Sequence, residues 1–456
     1  MLQGTLEPSA EGPVDVEVND IKRSQVSFYD KIDALISRYT ETDVCPIGET
    51  RTYEMDLILR LIFVLATVGF PFFSADTLIT RLAKRWGYQI YLAATPNIIT
   101  VVVIGERPNK ASVYTVPLYR NIPGPFFMDL IEEYGVLLNE AITGRIDIDE
   151  TYERLYRTLS RKHNRPAALY LIAGATSALG LVTLFPESHW LDLGIAAAGG
   201  FLTQLLLLIG KQPWIISRFF KLYEFTVPFF VSFFVASVAT FLPISQESII
   251  IASISWILPG ITVTLATLEL ATLNTVLGSA RFVFAIIVIL LLAFGITGGL
   301  FAITLFTSRP VDYDGGGIPV LFLLLFIPVI AVSFAVLMNA KVHQFLTFTI
   351  ASALAYSIER VSRPALNDFS VAASAFVVGA FSYLYSYLFK QPAIIFSVAG
   401  ILILVPGSLA VLGFVDVIGG DVVDGLVVAL QVLIISAQIS LGLLSATVIF
   451  NSSKTI

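Results

Sequence analysis

Apolar residues dominate the chain from about residue 166 to residue 450, whereas the first 165 residues hold most of the charged side chains. A helix that crosses a hydrocarbon core about 30 Å thick needs about 20 apolar residues. The pattern predicts a polytopic α-helical membrane protein in which ten transmembrane helices follow a small N-terminal cytoplasmic α/β domain. The ten predicted spans lie near residues 168–185, 190–209, 225–242, 248–268, 282–306, 318–339, 342–357, 369–389, 392–412 and 426–450.

The charged N-terminal part mixes helical and alternating periodicity, and we expect it to form an accessory domain over residues 51–165, after a disordered tail of residues 1–50. It contains neither a glycine-rich phosphate loop nor a recognisable pattern of nucleophile and base. The predicted elements are a buried helix from residue 53 that ends at Pro71, an amphipathic helix from an N-cap at Ser74 to Gly87, two strands split at residues 95–97, a third strand within 111–120, and two helices within 126–144 and 147–163.

Lysine and arginine in the loops predict the orientation, because these residues accumulate on the cytoplasmic side of a membrane protein. If the N-terminus is cytoplasmic, the inner loops and ends collect Arg154, Arg157, Arg161, Lys162, Arg165, Lys211, Arg218, Lys221, Arg281, Lys341, Lys390 and Lys454. The outer side then collects Arg309, Arg360 and Arg363. An even number of spans therefore leaves both termini in the cytoplasm.

Composition narrows the classes of function. The chain is 56% hydrophobic and 14% charged, and its formal charge of -6 argues against a nucleic-acid partner. One cysteine, Cys45, and three histidines are too few for a disulfide framework or a Cys/His metal cluster, so we expect no metal and no cofactor. The acidic first twenty residues lack the apolar core of a cleavable signal peptide.

Two segments resemble each other at a constant offset of 147 residues, when residues 254–281 are laid on residues 401–428 without a gap. The shared positions are Pro259 with Pro406, Gly260 with Gly407, Glu269 with Asp416, and Gly278 with Gly425. This predicts an internal repeat with five spans in each half, residues 166–310 and 311–456. Five is an odd number, so the second half must be inverted relative to the first.

A proline and a glycine interrupt one apolar span in each predicted half, at Pro259-Gly260 and Pro406-Gly407. Proline removes a helical hydrogen bond, and irregular backbone at this depth is tolerated only inside protein or beside a watery cavity. Paired interruptions in inverted repeats indicate a transporter's binding site. The exposed amides suit a substrate carboxylate and the freed carbonyls suit an ammonium group, so an amino acid fits both. Two plain proline kinks are the structural alternative.

Other polar residues in the spans extend the candidate site. Thr262, Thr264 and Ser408 closely follow the interruptions and could add hydroxyl groups. Gln204, Gln431 and Gln438 lie within apolar runs, where they could line the path or form hydrogen bonds between helices.

Two acidic residues are candidates for coupling transport to protons. Glu269 and Asp416 each lie ten residues after a repeat-related proline, near opposite ends of their spans. A buried carboxyl group in a membrane protein is a frequent proton carrier, and the two could act in turn at the two gates. The alternative is a solvated carboxylate in a loop.

Four segments together resemble the threonine/serine exporter family. They are SADTLITRLAKRWGYQIYLAATPNIITVVVIG, AITGRIDIDETYERLYRTLSRK, WILPGITVTLATLEL and LILVPGSLAVLGFVD, and the resemblance covers about residues 54 to 450. It implies a cytoplasmic N-terminal domain, ten spans and export of small hydroxy amino acids driven by the proton gradient. It also implies that Pro259, Gly260, Pro406 and Gly407 form the shared core of the family.

The favoured hypothesis is therefore a multi-pass exporter of the plasma (cell inner) membrane that binds an amino acid and protons and lies in a lipid bilayer. Whether copies associate into a homo-oligomer stays open. A channel or a lipid-moving protein would use the same interruptions only to shape a pore. A membrane-anchored hydrolase acting through residues 51–165 is the third alternative.

Overall fold

The computed structural model is mostly helical, and every element reported below lies within its described residues. The predicted tail, residues 1–50, lies outside them. The described residues are 53–104, 111–117, 127–159, 165–210, 222–306, 311, 317–318 and 320–450.

Four helices and one antiparallel sheet form the N-terminal part, which confirms the predicted mixture of elements. The sheet has the order β1-β2-β3, and β2 alternates between exposed and more buried residues, with Ile99, Val101 and Val103 buried. This alternation lets one face of the sheet contribute to the core that the helices form. The elements are α1 (Tyr53–Thr67), α2 (Phe72–Arg85), β1 (Gln89–Ala94), β2 (Ile98–Ile104), β3 (Ala111–Pro117), α3 (Met128–Thr143) and α4 (Ile148–Leu159).

The predicted N-cap at Ser74 is wrong. Helix α2 begins at Phe72, and its N-cap is Pro71, which caps without a side-chain hydrogen bond. Proline has a fixed φ and no backbone N–H, so it fits the start of a helix without a polar cap. At the other end, Gly87 follows the helix with φ +86°, a left-handed conformation that glycine adopts readily, as the sequence predicted.

The remaining helices form the apolar part of the molecule. In chain order they are α5 (Ala167–Val182), α6 (Trp190–Gly210), α7 (Tyr223–Ala239), α8 (Gln246–Ile254), α9 (Gly260–Ala271), α10 (Thr275–Thr304), α11 (Val320–Leu337), α12 (Gln344–Leu366), α13 (Ser370–Phe389), α14 (Ala393–Ile401), α15 (Gly407–Gly419) and α16 (Val422–Phe450). Short 3₁₀ turns follow α8 at Ser255–Ile257 and α12 at Asn367–Phe369.

Length and composition identify fewer membrane crossings than the ten that the sequence predicts. Within the described chain, the four helices α6, α10, α13 and α16 are long and apolar enough, and the count rises to five if α8 and α9 form one broken span. Other apolar helices are shorter, such as Ala167–Val182 and Tyr223–Ala239. Helix α12, the predicted seventh span, is longer than expected and carries Glu359, Arg360 and Arg363 at its end.

Small residues bring the long helices close together in two similar contacts. A Cβ added at Gly295 of α10 would lie 2.4 Å from the carbonyl oxygen of Phe225 in α7. A Cβ added at Gly442 of α16 would lie 2.4 Å from the carbonyl oxygen of Ala372 in α13. Both glycines and both carbonyls are separated by 147 residues. The offset that relates the two interrupted segments therefore also relates the contact α7–α10 to the contact α13–α16.

Helix α3 of the N-terminal part packs against the start of α12 and the start of α14. Glu132, 8% exposed, accepts a 2.5 Å hydrogen bond from Gln344 Nε2 and lies 3.2 Å from Lys341 Nζ and 2.9 Å from His343 Nε2. Pro392, the N-cap of α14, packs against Gly135, where an added Cβ would lie 2.1 Å from its Cγ. One continuous apolar core joins the two parts.

Candidate functional site

The two proline-glycine interruptions have the same backbone geometry. Pro259 has φ -81° and ψ 31°, Pro406 has φ -82° and ψ 34°, and each is the N-cap of a helix that begins at the following glycine. The first helical hydrogen bond spans the same distance in both, from Val263 N to Pro259 O and from Ala410 N to Pro406 O, at 3.0 Å each. The amides of the three residues before each donor therefore have no partner in their own helix.

The residues just before each proline also depart from a regular α-helix. Before Pro259, α8 narrows into the 3₁₀ turn, Leu258 is extended, and the axis bends by 59° between the two halves. Before Pro406, α14 ends at Ile401 and four residues separate it from Pro406. These are real interruptions, which favours the binding-site hypothesis over plain proline kinks.

The interruptions meet each other in the folded chain. A Cβ added at Gly260 would lie 2.0 Å from Cγ1 of Val405 and 3.1 Å from Cα of Gly407, and one added at Gly407 would lie 3.3 Å from Cα of Gly260. Any side chain at Gly260 would collide with the other interruption. Glycine is required there because two backbones pass in contact.

A cavity of about 250 Å³ lies where the interruptions meet. Five pairs of residues related by the offset of 147 line it on both sides. They are Ser255 with Leu402, Trp256 with Ile403, Leu258 with Val405, Gly260 with Gly407, and Ile261 with Ser408. The rest of the lining comes from α5, α8 and α11 and the residues just after α5 and α11, and includes Phe185, Phe334 and Met338.

Neutral groups supply all the polarity of this lining. The described lining residues include no charged side chain, two hydroxyl groups at Ser255 and Ser408, and the indole of Trp256, whose ring centroid is 6.1 Å from that of Phe334. The N-terminal ends of α9 and α15 meet here, and each carries partial positive charge. Such a cavity can bind a small molecule with an anionic group and an apolar or hydroxylated body.

The structure brings together only part of the predicted site. Gly260, Gly407 and Ser408 line the cavity, and the buried Pro259 and Pro406 immediately precede the two glycines. Thr262 is half-buried and Thr264 is buried, and neither lines the cavity.

The three predicted glutamines lie away from the cavity lining. Gln204 is buried where α5 and α6 meet, and a Cβ added at Gly174 would lie 2.2 Å from its Cγ. Gln438 is buried in α16, and Gln431 is exposed on the same helix. The buried positions fit contact between helices better than contact with a solute.

A cluster of hydroxyl groups lies between α9 and α16. Thr267 Oγ1 lies 2.8 Å from Ser440 Oγ and 2.8 Å from the carbonyl oxygen of Thr264, which accepts its hydrogen bond. Ser440 Oγ also donates to the carbonyl oxygen of Ser436 at 2.9 Å. We call these four residues the hydroxyl seam. The sequence analysis identified Thr264 alone, although the i, i+4 spacing of Ser436 and Ser440 places them on one face of a helix.

The two candidate acids have different surroundings. Glu269 is 1% exposed, and its Oε1 lies 2.8 Å from Nη1 of Arg281 in α10. Asp416 is half-buried in α15. The sequence analysis identified Arg281 only as an inner-loop charge, because no local pattern shows that Arg281, the seventh residue of α10, lies beside Glu269.

The turn that follows each acid is nevertheless repeated. Asn274 N donates to the carbonyl oxygen of Glu269, and Asp421 N donates to the carbonyl oxygen of Asp416, both at 2.9 Å. Within the described chain, no group of three His, Cys, Asp or Glu residues could hold a metal ion. The cavity lining offers neutral hydrogen-bond donors, and Glu269 with Arg281 forms an ion pair outside that lining.

Comparison with known proteins gives two family matches. The model of the threonine/serine exporter family matches residues 56–302, and a second model, described as Threonine/Serine exporter, ThrE, matches residues 323–449. This family is one of exporters and not a class of enzymes.

Curated relatives are membrane proteins of yeasts, each named Pheromone-regulated membrane protein 10. The chain is 25% identical to that of Candida glabrata over 77% of this chain and 45% of the relative. It is 25% identical to that of Kluyveromyces lactis, over 77% and 37%, and 28% identical to that of Pichia sorbitophila, over 73% and 34%.

The chain thus spans less than half the length of these relatives. No solved structure matches it. The family matches cover both interrupted segments and the N-terminal part, and together they account for most of the chain. The chain belongs to the threonine/serine exporter family.

Proposed function

We propose that this protein is a secondary active transporter that exports threonine and serine in exchange for protons, with alternating access at the interrupted helices α8–α9 and α14–α15. The observation that carries the proposal is the cavity where Gly260 and Gly407 meet. A site on the axis between two repeated halves stays in place while the halves move around it, which is the arrangement that alternating access requires.

The proposal includes ten spans in two inverted halves, residues 166–310 and 311–456. Helix contacts support it, because seven of them each have a repeat-related counterpart. The first set is α5–α6, α6–α7, α6–α8, α7–α8, α7–α10, α9–α10 and α10–α15. The counterparts, in the same order, are α11–α12, α12–α13, α12–α14, α13–α14, α13–α16, α15–α16 and α16–α9. The contacts α5–α11 and α9–α15 join equivalent helices of the two halves. The offset of 147 relates the glycine contacts and the turns after the acids as well.

The N-terminal domain, residues 51–165, is proposed to be cytoplasmic, as are both termini, in the plasma membrane. The docking of α3 supports this orientation. It contacts residues 338–344 and Pro392, which the ten-span arrangement puts in inner loops on the same side as the domain. Lys341, which pairs with Glu132 and Glu133, is one of the loop cations that predicted the same side.

Amino acid binding follows from the two kinds of helix end at the cavity. The first amides of α9 and α15 would hold the carboxylate, and the last carbonyls of α8 and α14 would hold the ammonium group. Apolar neighbours such as Leu258 and Val405 would exclude water and limit the size of the side chain. The volume of about 250 Å³ suits a small amino acid.

Proton coupling is assigned to Glu269, with Asp416 as its counterpart in the second half. Glu269 is buried against a cation, so a proton that binds Glu269 would release Arg281 and loosen the contact between α9 and α10. The coupling event is thereby linked to the helix that forms one side of the cavity.

Counterflow in proteoliposomes tests the proposal. Vesicles preloaded with threonine should accumulate external radiolabelled threonine, and an imposed proton gradient should change the net flux. The double variant Pro406→Ala/Gly407→Ala, which favours a continuous helix, should bind threonine more weakly. Flux without counterflow would instead indicate a channel, and no threonine flux at all would reject the proposal.

A further inference from the structure

Repeat-related positions line the cavity, but they differ in polarity. In three of its five repeat-related pairs, both residues are apolar or glycine. The least similar of these three pairs is Trp256 with Ile403, because the indole of Trp256 carries one polar N–H. The other two pairs differ in kind, because the counterpart of Ser255 is Leu402 and the counterpart of Ser408 is Ile261. Each half thus contributes one hydroxyl group, and the two hydroxyls occupy positions that the repeat does not relate.

These two hydroxyls are available to a solute in the cavity. Ser253, two residues before Ser255, donates to the carbonyl oxygen of Ile249 at 2.7 Å, and Ser397 donates to that of Ile394 at 3.2 Å. Within the described chain, the hydroxyls of Ser255 and Ser408 have no such acceptor, although they line a cavity with few other polar groups. Both residues are half-buried and line the cavity, so a ligand there can form hydrogen bonds with them.

A cavity with two equivalent sides would bind a small amino acid in either of two orientations. Hydroxyls at unrelated positions remove that equivalence. Ser408 is the second residue of α15 and adds an O–H donor to the helix end where the carboxylate would lie. Ser255 follows α8, at the helix end that presents carbonyls. The two serines therefore belong to opposite ends of a bound zwitterion.

We propose that Ser408 binds the substrate carboxylate and that Ser255 recognises the side-chain hydroxyl, so that Ser255 distinguishes threonine from valine. This inference rests on the proposed function. Valine matches threonine in shape and lacks the hydroxyl, so valine would leave Ser255 without a partner in a cavity that is otherwise almost apolar.

The test is inhibition of radiolabelled threonine counterflow by unlabelled threonine and valine, with the full chain in proteoliposomes. The wild type should prefer threonine over valine by about three- to tenfold, the range expected for one neutral hydrogen bond. Ser255→Ala should abolish most of that preference. Ser408→Ala should weaken inhibition by both amino acids in parallel and keep their ratio. Ser253→Ala, the matched control, should resemble the wild type.

A second variant covers the case in which Ser255→Ala does not fold. Ser255→Cys keeps the size but replaces the hydroxyl with a weak donor, and it should also lose the preference, whereas Ser255→Thr should retain it. If both Ser255→Ala and Ser255→Cys keep the wild-type ratio while transport is intact, the inference is wrong and the proposed function stands. If the wild type shows no threonine counterflow, the proposed function itself fails.

Discussion

The two halves of the apolar part are alike at the cavity and different beyond it. Pro259 and Pro406 share their dihedral angles, and the turns after Glu269 and Asp416 share a 2.9 Å hydrogen bond. In the first half, Arg281 pairs with Glu269, but its counterpart at the offset of 147 is Val428. The backbone at the cavity is therefore alike in the two halves, whereas the ion pair at Glu269 has no counterpart at Asp416 and Val428.

The helix contacts around the cavity differ in the same sense. The hydroxyl seam lies between α9 and α16, and the repeat-related contact between α15 and α10 carries Val411, Phe414, Ile289 and Ala293 instead. The N-terminal part, in turn, docks through α3 on Gln344 and Pro392 of the second half. The two halves therefore differ in the polarity of this helix contact and in their contact with the N-terminal part.

The largest effect is expected where the halves differ most, at the ion pair. Arg281→Gln leaves Glu269 buried without its cation, which should lower the free energy of unfolding by about 2 to 4 kcal/mol, somewhat less than for a fully buried pair because Arg281 is 28% exposed. Thermal unfolding in detergent measures it. Arg281→Gln/Glu269→Gln should recover much of the loss, and Asp416→Asn should change stability little. Equal losses in Arg281→Gln and Asp416→Asn would contradict the asymmetry.

Glu269 and Asp416 should also differ in their effect on the pH dependence of transport. Glu269→Gln should remove the dependence of threonine counterflow on pH, because the variant cannot bind and release a proton at that position. Asp416→Asn tests whether the second half takes part in coupling, and as the repeat counterpart it should alter the pH profile less. Initial rates across a pH series measure both. An unchanged profile in Glu269→Gln would remove the assigned role of this residue.

A smaller loss of stability is expected from adding a side chain at Gly260, where the two interruptions meet. In Gly260→Ala the new methyl group would collide with Val405 and with the backbone of Gly407, at a cost of about 1 to 3 kcal/mol. Gly194→Ala is the matched control, since nothing lies within 4 Å of the added Cβ, and it should be neutral or slightly stabilising. Chemical denaturation compares them. Tolerance of alanine at Gly260 would mean that the interruptions do not touch.

The smallest effect is expected in the hydroxyl seam. Thr267→Val removes the hydroxyl that bonds the carbonyl of Thr264 and approaches Ser440, and it should cost about 0.5 to 1 kcal/mol, which is typical of hydrogen bonds between membrane helices. Thr264→Val should cost less, because the Thr264 hydroxyl has no partner within the described chain. Thermal unfolding would contradict this order if Thr264→Val were the more damaging change.

Local pattern predicted much of the fold. The three strands, the helices around them and both interruptions follow from alternation, from helical periodicity and from proline, all of which act over a few residues. Ser74 misled the prediction because a serine and a proline can both begin a helix, and the choice depends on neighbouring packing. Ten crossings were predicted from apolar runs, yet two of those runs form helices of only 16 and 17 residues.

The part of the candidate site that lies at the repeated segments could be predicted from the sequence, and the part that depends on contacts between distant segments could not. The proline-glycine pairs were found because they recur at a fixed offset. The approach of Arg281 to Glu269, the contact of Glu132 with Gln344, and the joining of Ser255 to the cavity depend on tertiary contact, which no local pattern encodes. Gln431 was predicted from its place within an apolar run, yet it is exposed on its helix and does not line the cavity.

The most direct test is thiol labelling of the cavity from each side of the membrane. Ile261→Cys, in a background where Cys45 is replaced by serine, puts one thiol in the cavity lining. The controls are Val342→Cys, between α11 and α12, and Phe241→Cys, between α7 and α8, which the ten-span arrangement puts on opposite sides of the membrane. A membrane-impermeant reagent should modify Ile261→Cys from the inside or the outside depending on the proton gradient, and threonine should slow both reactions without affecting the two controls. Labelling of Ile261→Cys that ignores threonine and the gradient would contradict alternating access at the meeting of the two interruptions.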